Sequence, residues 1–227
     1  MTAGNLVGIG LYTPIEAEHL IGIAAGKISR WLRGHAVKGR QYGPLWQSQI
    51  DLGDERVYLG FRDLMEMRTA HAFMQAGVSA IMIRRAIIEA RLLVADERPL
   101  STTKFKTDGR SIFLEIVSSE GDRQLLNIFS KQYAFEKIIE RSLKDVEFEG
   151  AAPARWWPAT RAKQIIVDPA RSFGQPIDEI SGVPTAILAA AARAEGSIEA
   201  AARAWQVKVT TVRRAVEFEE PRLQRAA

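Results

Sequence analysis

Two short amphipathic segments joined at a glycine, TPIEAEHLIGIAAGKISRWLR from Thr13 to Arg33, constrain this chain more than any other stretch. Thr13 is an N-cap residue, Pro14 fits the first helical position, and Glu16 stands three after Thr13, as a capping box requires. Ala17, Leu20 and Ile21 form the apolar face of this first helix. Gly22 follows where the chain must turn, because positive φ costs other residues roughly 1–2 kcal/mol. In the second helix Ile28, Trp31 and Leu32 recur at helical spacing and can pack on the first, leaving Lys27, Ser29, Arg30 and Arg33 outside. Ala24, Ala25 and Gly26 keep the start of that helix slim. Close backbone approach and long cations are what a DNA-reading helix needs. The stretch therefore reads as a helix-turn-helix; an ordinary helical hairpin with a solvated basic face is the plain alternative.

After Arg33, GHAVKGRQYG is a loop by composition. Leu45–Ile50 and 56–59 are β-prone runs on either side of Asp51-Leu52-Gly53-Asp54, which suggests a hairpin wing, with Lys38, Arg40 and Arg56 available to phosphate. Trp46 fits packing better than base contact. Residues 61–76 read as a helix ending at Gly77, and a second helix starts after Ser79 with Met82, Ile83, Ala86, Ile87, Ala90 and Leu93 on one face. Residues 104–107 and 111–117 flank Asp108-Gly109, a hairpin signal. With a third strand at 125–129 and a helix over 133–143, the middle of the chain reads as a β-meander plus helix. Residues 149–160 mix Ala, Pro and Gly around Trp156-Trp157 and form the best linker candidate; exposed tryptophans there could anchor a partner.

From Gln164 two extended pieces, 165–168 and 175–180, precede three short helices. Ser197 caps one carrying Ile198, Ala201, Ala202 and Trp205. The last carries Val209, Val212, Ala215 and Val216 inward, with Lys208, Thr210, Thr211, Arg213 and Arg214 outward as a second DNA-reading candidate. This repeats the order of the first motif, except that Gln206 stands where Gly22 stood. The expected class is mainly α with small β units (α+β): a winged helix-turn-helix over 1–98, a β-meander and helix unit over 99–150, and a C-terminal three-helix helix-turn-helix bundle over 151–227.

The reader YTPIEAEHLIGI, a wing, then FRDLMEMRTAHAFMQAGVSAIMIRRAI resembles the MerR-type winged helix-turn-helix over about residues 10–95. The stretch VDPARSFGQPIDEISGVPT followed by SIEAAARAWQVKVTTVRRAVEFE resembles the helix-turn-helix family of unknown function numbered four hundred and thirty-three. In that order the two look like the large VapB-type antitoxins of bacteria. The resemblance implies a cytoplasmic homodimer that binds its own operator DNA, represses its operon and sequesters a PIN-type ribonuclease toxin encoded beside it. On that reading Arg222 and Arg225, after Pro221, reach the toxin's acidic metal site, where arginine pairs with carboxylates. A stand-alone MerR-like transcriptional regulator is the alternative.

Charge agrees with a polyanionic partner at both ends. Residues 1–50 carry five Lys or Arg against two Asp or Glu, and 151–227 carry eleven against eight; the stretches 51–100 and 101–150 each carry one acid more than bases. The chain has no cysteine, so it holds no disulfide or thiolate site. The alanine-rich run from Ala186 is too interrupted by Arg193, Glu195 and Gly196 to span a membrane. His19, His35 and His71 are scattered, and Gly8 and Gly10 lack the third glycine of a dinucleotide fingerprint. No Walker loop or nucleophile elbow is present. We expect no enzymatic activity, metal or cofactor.

Overall fold

The computed structural model describes residues 6–37, 39–120 and 132–226. They form two compact units, one from Tyr12–Pro153 and the other from Ala154–Ala227 together with the N-terminal strip Asn5–Leu11. The structure is α+β, with small antiparallel sheets.

The first unit opens with α1 (Pro14–Ile21) and α2 (Ala25–Arg33). The Thr13 hydroxyl accepts the Glu16 N–H at 3.3 Å, and the Glu16 carboxylate accepts the Thr13 N–H at 2.7 Å. Gly22, at φ 71°, ends α1 in the left-handed conformation. Strands β1 (His35–Val37) and β2 (Arg40–Tyr42) follow at once, paired His35 to Tyr42, Ala36 to Gln41 and Val37 to Arg40. The hairpin thus lies in the stretch whose composition reads as a loop. Its entry needs a glycine: Gly34 has φ 77°, and a Cβ there would sit 2.3 Å from the Tyr42 carbonyl oxygen.

The wing expected from Leu45–Ile50 and 56–59 is absent, and apart from an isolated bridge between Leu59 and Tyr12 these residues form no strand. Leu45, Trp46 and Ile50 are buried at irregular spacing, which strand alternation cannot satisfy. A side chain fixes this loop instead. Asp63 accepts the backbone N–H groups of Gln49 and Gly60, each at 2.9 Å, and takes the Arg98 guanidinium on its other oxygen at 2.7 Å.

Helices α3 (Phe61–Gln75) and α4 (Ala80–Val94) come next; the Ser79 hydroxyl caps α4 on the Met82 N–H. Leu93 departs from its expected inward position and is 56% exposed. Residues 103–120 are not a β-hairpin but helix α5 (Thr103–Glu120), which is followed by α6 (Gln132–Ser142) and strand β3 (Val146–Glu149). Asp108-Gly109 does not turn here. Gly109 is buried, and a Cβ on it would meet the Phe105 ring at 2.8 Å, so the glycine makes room for an aromatic. Phe105, Gly109, Ile112 and Phe113 are all buried, at helical spacing. The rings of Phe113, Phe135 and Phe105 lie 4.5, 5.5 and 6.3 Å from that of Phe73, the centre of this core. The third strand expected over 125–129 lies outside the described residues.

In the second unit β4 (Ala152–Trp156), β5 (Ile165–Val167) and β6 (Pro176–Asp178) run antiparallel, with Trp156 opposite Val167 and Ile166 opposite Ile177. Part of the expected linker, Ala152–Trp156, is thus strand, and the division between the two units falls inside that stretch, between Pro153 and Ala154. Trp156 and Trp157 are buried, which removes them as partner anchors; Trp157 donates to Glu179 at 3.1 Å and lies under the Arg161 guanidinium. The N-terminal strip joins this unit through Gly8 N–H to the Pro169 carbonyl, 3.1 Å, and Leu11 N–H to that of Phe173, 3.0 Å. Helices α7 (Thr185–Ala194), α8 (Ile198–Ala204) and α9 (Val209–Ala226) pack through Leu188, Ala201, Ala202, Val212 and Ala215. Gln206 takes φ 53°, so the turn between α8 and α9 uses the same left-handed conformation as Gly22.

Candidate nucleic-acid interface

Helix α2 divides as its sequence requires. Ile28, Trp31 and Leu32 are buried, while Ala24, Gly26, Arg30 and Arg33 are exposed and Lys27 and Ser29 are half-buried. Packing explains the division. Trp31 lies 6.4 Å from the Trp46 ring and 6.2 Å from His71, so its indole locks the helix against the loop and α3. Lys27 extends over the same indole, 5.0 Å from the ring centroid. Burial, and then the charge of Arg30, lowers the Lys27 pKa from its usual value. Burial, and then the charge of Lys27, also lowers that of His71. The outer face thus combines small residues at its start with cations further along.

Arg33 donates to the Glu55 carbonyl and ties the end of α2 to the loop after the hairpin. Together with Thr13, Pro14, Ser29, Arg56, Val57 and Tyr58 it lines a shallow groove of about 250 Å³. Arg56 is exposed, 4.0 Å from Asp54. Tyr58 donates to Asp54 at 2.7 Å, a bond that holds the Asp54 carboxyl below its usual range. Arg40 stands in β2, on the hairpin beside α2, but its side chain, like the whole of Lys38, lies outside the described residues.

One residue that sequence reasoning missed closes the start of α2. Glu18, on α1, accepts the Ala25 N–H at 2.8 Å, so a carboxylate already occupies the end of the helix to which an anion would be drawn. Its signal was weak: Ala24 at the N-cap has no side-chain oxygen, which left the N–H groups in need of a distant acceptor.

On α9 the second candidate face loses two of its members. Lys208, Thr210 and Arg213 are exposed, but Thr211 is buried. Arg214 is turned inward, donating to Asp178 and to the Gln164 side chain, both at 2.6 Å. The correction has an electrostatic cause. Asp178, 1% exposed on β6, needs a counter-charge, and Arg214 is in reach of it. Residues 222 and 225 continue α9, and their side chains lie outside the described residues.

Among the described residues no group of three or more His, Cys, Asp or Glu side chains could hold a metal ion, and no helix is long and apolar enough to cross a membrane. No family model matches the sequence. Comparison with curated proteins finds similarity to one from Mycobacterium tuberculosis strain H37Rv named "Putative antitoxin VapB45", 25% identical over 229 residues, covering 92% of this chain and 93% of the relative. Among solved structures the fold is similar to the crystal structure of Rv2018 from Mycobacterium tuberculosis, with a TM-score of 0.71 and 23% identity over 92% of this chain and 99% of that one.

Proposed function

We propose that this chain is the DNA-binding antitoxin of a type II toxin-antitoxin pair, a cytoplasmic homodimer that represses its own operon and neutralises a PIN-type toxin. The observation that carries the DNA part is the outer face of α2. Ala24, Gly26 and Arg30 are exposed on a helix anchored by Trp31, a Cβ at Gly26 would meet nothing, and Lys27 lies half-buried over the Trp31 ring at the edge of this face. Arg30 reads bases, Lys27 and Ser29 support it, and Arg40 on the hairpin contacts phosphate. Arg33 has a structural part as well, through Glu55. The likeness to a relative named as an antitoxin, over nearly the whole of both chains, supports the toxin part. A MerR-like winged reader over 1–98 and a C-terminal helix-turn-helix module over 151–227 belong to the same reading.

A salt titration on a duplex from the chain's own upstream region tests the DNA part. Arg30→Ala weakens binding by about 1–3 kcal/mol if the side chain reads a base, and flattens the salt slope by about one unit if it touches only phosphate. Unchanged affinity at every salt concentration refutes the assignment. For the toxin part, the chain is co-expressed with the neighbouring open reading frame: the two are expected to co-purify, and the neighbour alone to be toxic. A lone protein that still binds its promoter would point to the stand-alone regulator. A chain stopped at Glu220 that still neutralises removes Arg222 and Arg225 from the interface.

A further inference from the structure

Within the first unit, helices α3 and α6 leave a groove of about 330 Å³ between them. Ala72 and Ala76, one turn apart on α3, face Ala134 and Ile138, one turn apart on α6, and all four are half-buried. Three of these four side chains are single methyl groups, which leaves unfilled the space that larger residues would occupy. The lining runs along α6 from Ala134 to Arg141, so the slot is roughly 10 Å long. Its volume is at the lower end of small-molecule sites, about 300–1,000 Å³. Gln75, Lys137 and Arg141 form the polar rim, and no carboxylate is among the lining residues. Glu136 and Glu140 stand on the opposite side of α6 by helical spacing. At the end of α3 the carbonyls of Ala72, Phe73 and Met74 are taken by the N–H groups of Ala76, Val78 and Gly77, so the negative end of that helix is capped.

We infer that this groove binds a small amphiphilic carboxylate, its unbranched hydrocarbon tail laid over the three alanines and Ile138 and its head group at Arg141. Charge selects the head. Lys137 already interacts within the chain, and the assignment does not need it. Arg141 is exposed, and among the described residues its guanidinium has no hydrogen bond or ion pair. Its planar fork of N–H groups matches the two oxygens of a carboxylate. A neutral head would leave that fork as it is, and a cationic head would be repelled by it. The floor selects the tail, because covering four half-buried apolar side chains with hydrocarbon releases the water that lies over them. The length of the slot suits an extended chain. The inference goes beyond the DNA and toxin readings and depends on neither.

Equilibrium dialysis of the full chain against octanoate, whose extended chain matches the slot, tests it. One site with a Kd of about 0.1–1 mM is expected, which a ligand of this size can reach. Octanol and octylamine, with the same tail, are expected to bind at least about threefold more weakly. Arg141→Gln weakens octanoate binding about three- to tenfold and leaves octanol binding unchanged. Ala76→Leu and Ala134→Leu, one from each helix, fill the slot and each abolish binding while helix content by circular dichroism is unchanged. Leu92→Glu, which alters an exposed apolar side chain elsewhere in this unit, leaves binding as it was. A wild type that takes up no octanoate at about 5 mM overturns the inference. So does an Arg141→Gln protein that binds octanoate equally well, or octanol or octylamine binding as tightly. Binding that survives both leucine substitutions, or that is lost with Leu92→Glu, puts the tail elsewhere and overturns it too. Arg30→Ala leaves octanoate binding intact, so failure of the DNA reading is seen separately.

Discussion

Replacing Glu66 with glutamine should reverse its effect on stability between acid and alkaline pH. Glu66 is fully buried on α3 and accepts the N–H groups of Leu100 and Ser101, one on each oxygen, at 3.1 and 2.9 Å. Burial pushes its pKa from an ordinary 4.5 to about 8, against the two N–H bonds and the charge of Arg98. Because the folded-state value is raised, its stabilising contribution is complete below about pH 4.5, falls as pH rises towards 8, and is level beyond. The full change is worth about 5 kcal/mol as an upper bound. Glutamine removes the titration but has an NH2 group where one oxygen accepted. One of the two N–H groups then faces a donor, at a cost of about 1–3 kcal/mol. The wild type is therefore the more stable below about pH 5, and the variant above about pH 8. Urea unfolding of both proteins across that range gives the difference, and hydrogen-exchange protection of the Leu100 and Ser101 amides reports on this unit alone. Every other titrating group is common to both. A difference that stays constant across the range would refute the reasoning, because Glu66 would then remain charged, held by its two N–H donors.

Three further outcomes follow from the packing. Gly109→Ala drives a methyl group into the Phe105 ring from 2.8 Å and should cost about 1–3 kcal/mol in urea unfolding, although alanine is the better helix former. Gly34→Ala combines positive φ with a Cβ 2.3 Å from the Tyr42 oxygen, so protection of the β1–β2 amides should fall while that of α3 persists. Arg214→Met leaves Asp178 buried without its counter-charge and should destabilise the second unit by about 3–5 kcal/mol near neutral pH. Burial opposes ionisation of Asp178, but the Ser181 N–H and hydroxyl and Arg214 outweigh it and lower the pKa. The stability this provides is present above about pH 4 and is lost as pH falls, so the deficit of the variant should shrink in acid.

Local chemistry made α1 and α2 legible, because the Thr13 cap, the Gly22 turn and the Ile28, Trp31 and Leu32 spacing act within a few residues. The same applies to Ser79 and Ser197, whose hydroxyls accept the N–H groups of Met82 and Ala200. What was misread depends on partners far along the chain. Asp108-Gly109 has the composition of a turn, and only the Phe105 ring explains its glycine. Strands of three residues, such as β1 and β2, are too short to show alternation, and Gly34 and Gly39, both at positive φ, were their visible trace. Arg214 looked outward by helical spacing, but Asp178, on another element, decided otherwise, and Thr211 is buried beside it, accepting from Arg214 at 3.3 Å. On α2 the spacing alone separated Ile28, Trp31 and Leu32 from Arg30, whereas the Glu18 cap required the turn to be folded first.

On the proposed DNA-reading role, that cap has a consequence for how α2 sits on a duplex. A helix whose first N–H groups grip a phosphate is pinned at one end, and its tilt in the groove is fixed before any base is touched. Here Glu18 holds the Ala25 N–H, so α2 lacks that hinge point and its angle is set by the side chains along its length and by the hairpin. A reader mounted this way can rock to suit grooves of different width. It should therefore accept a family of related sequences at similar affinity, more than it singles out one.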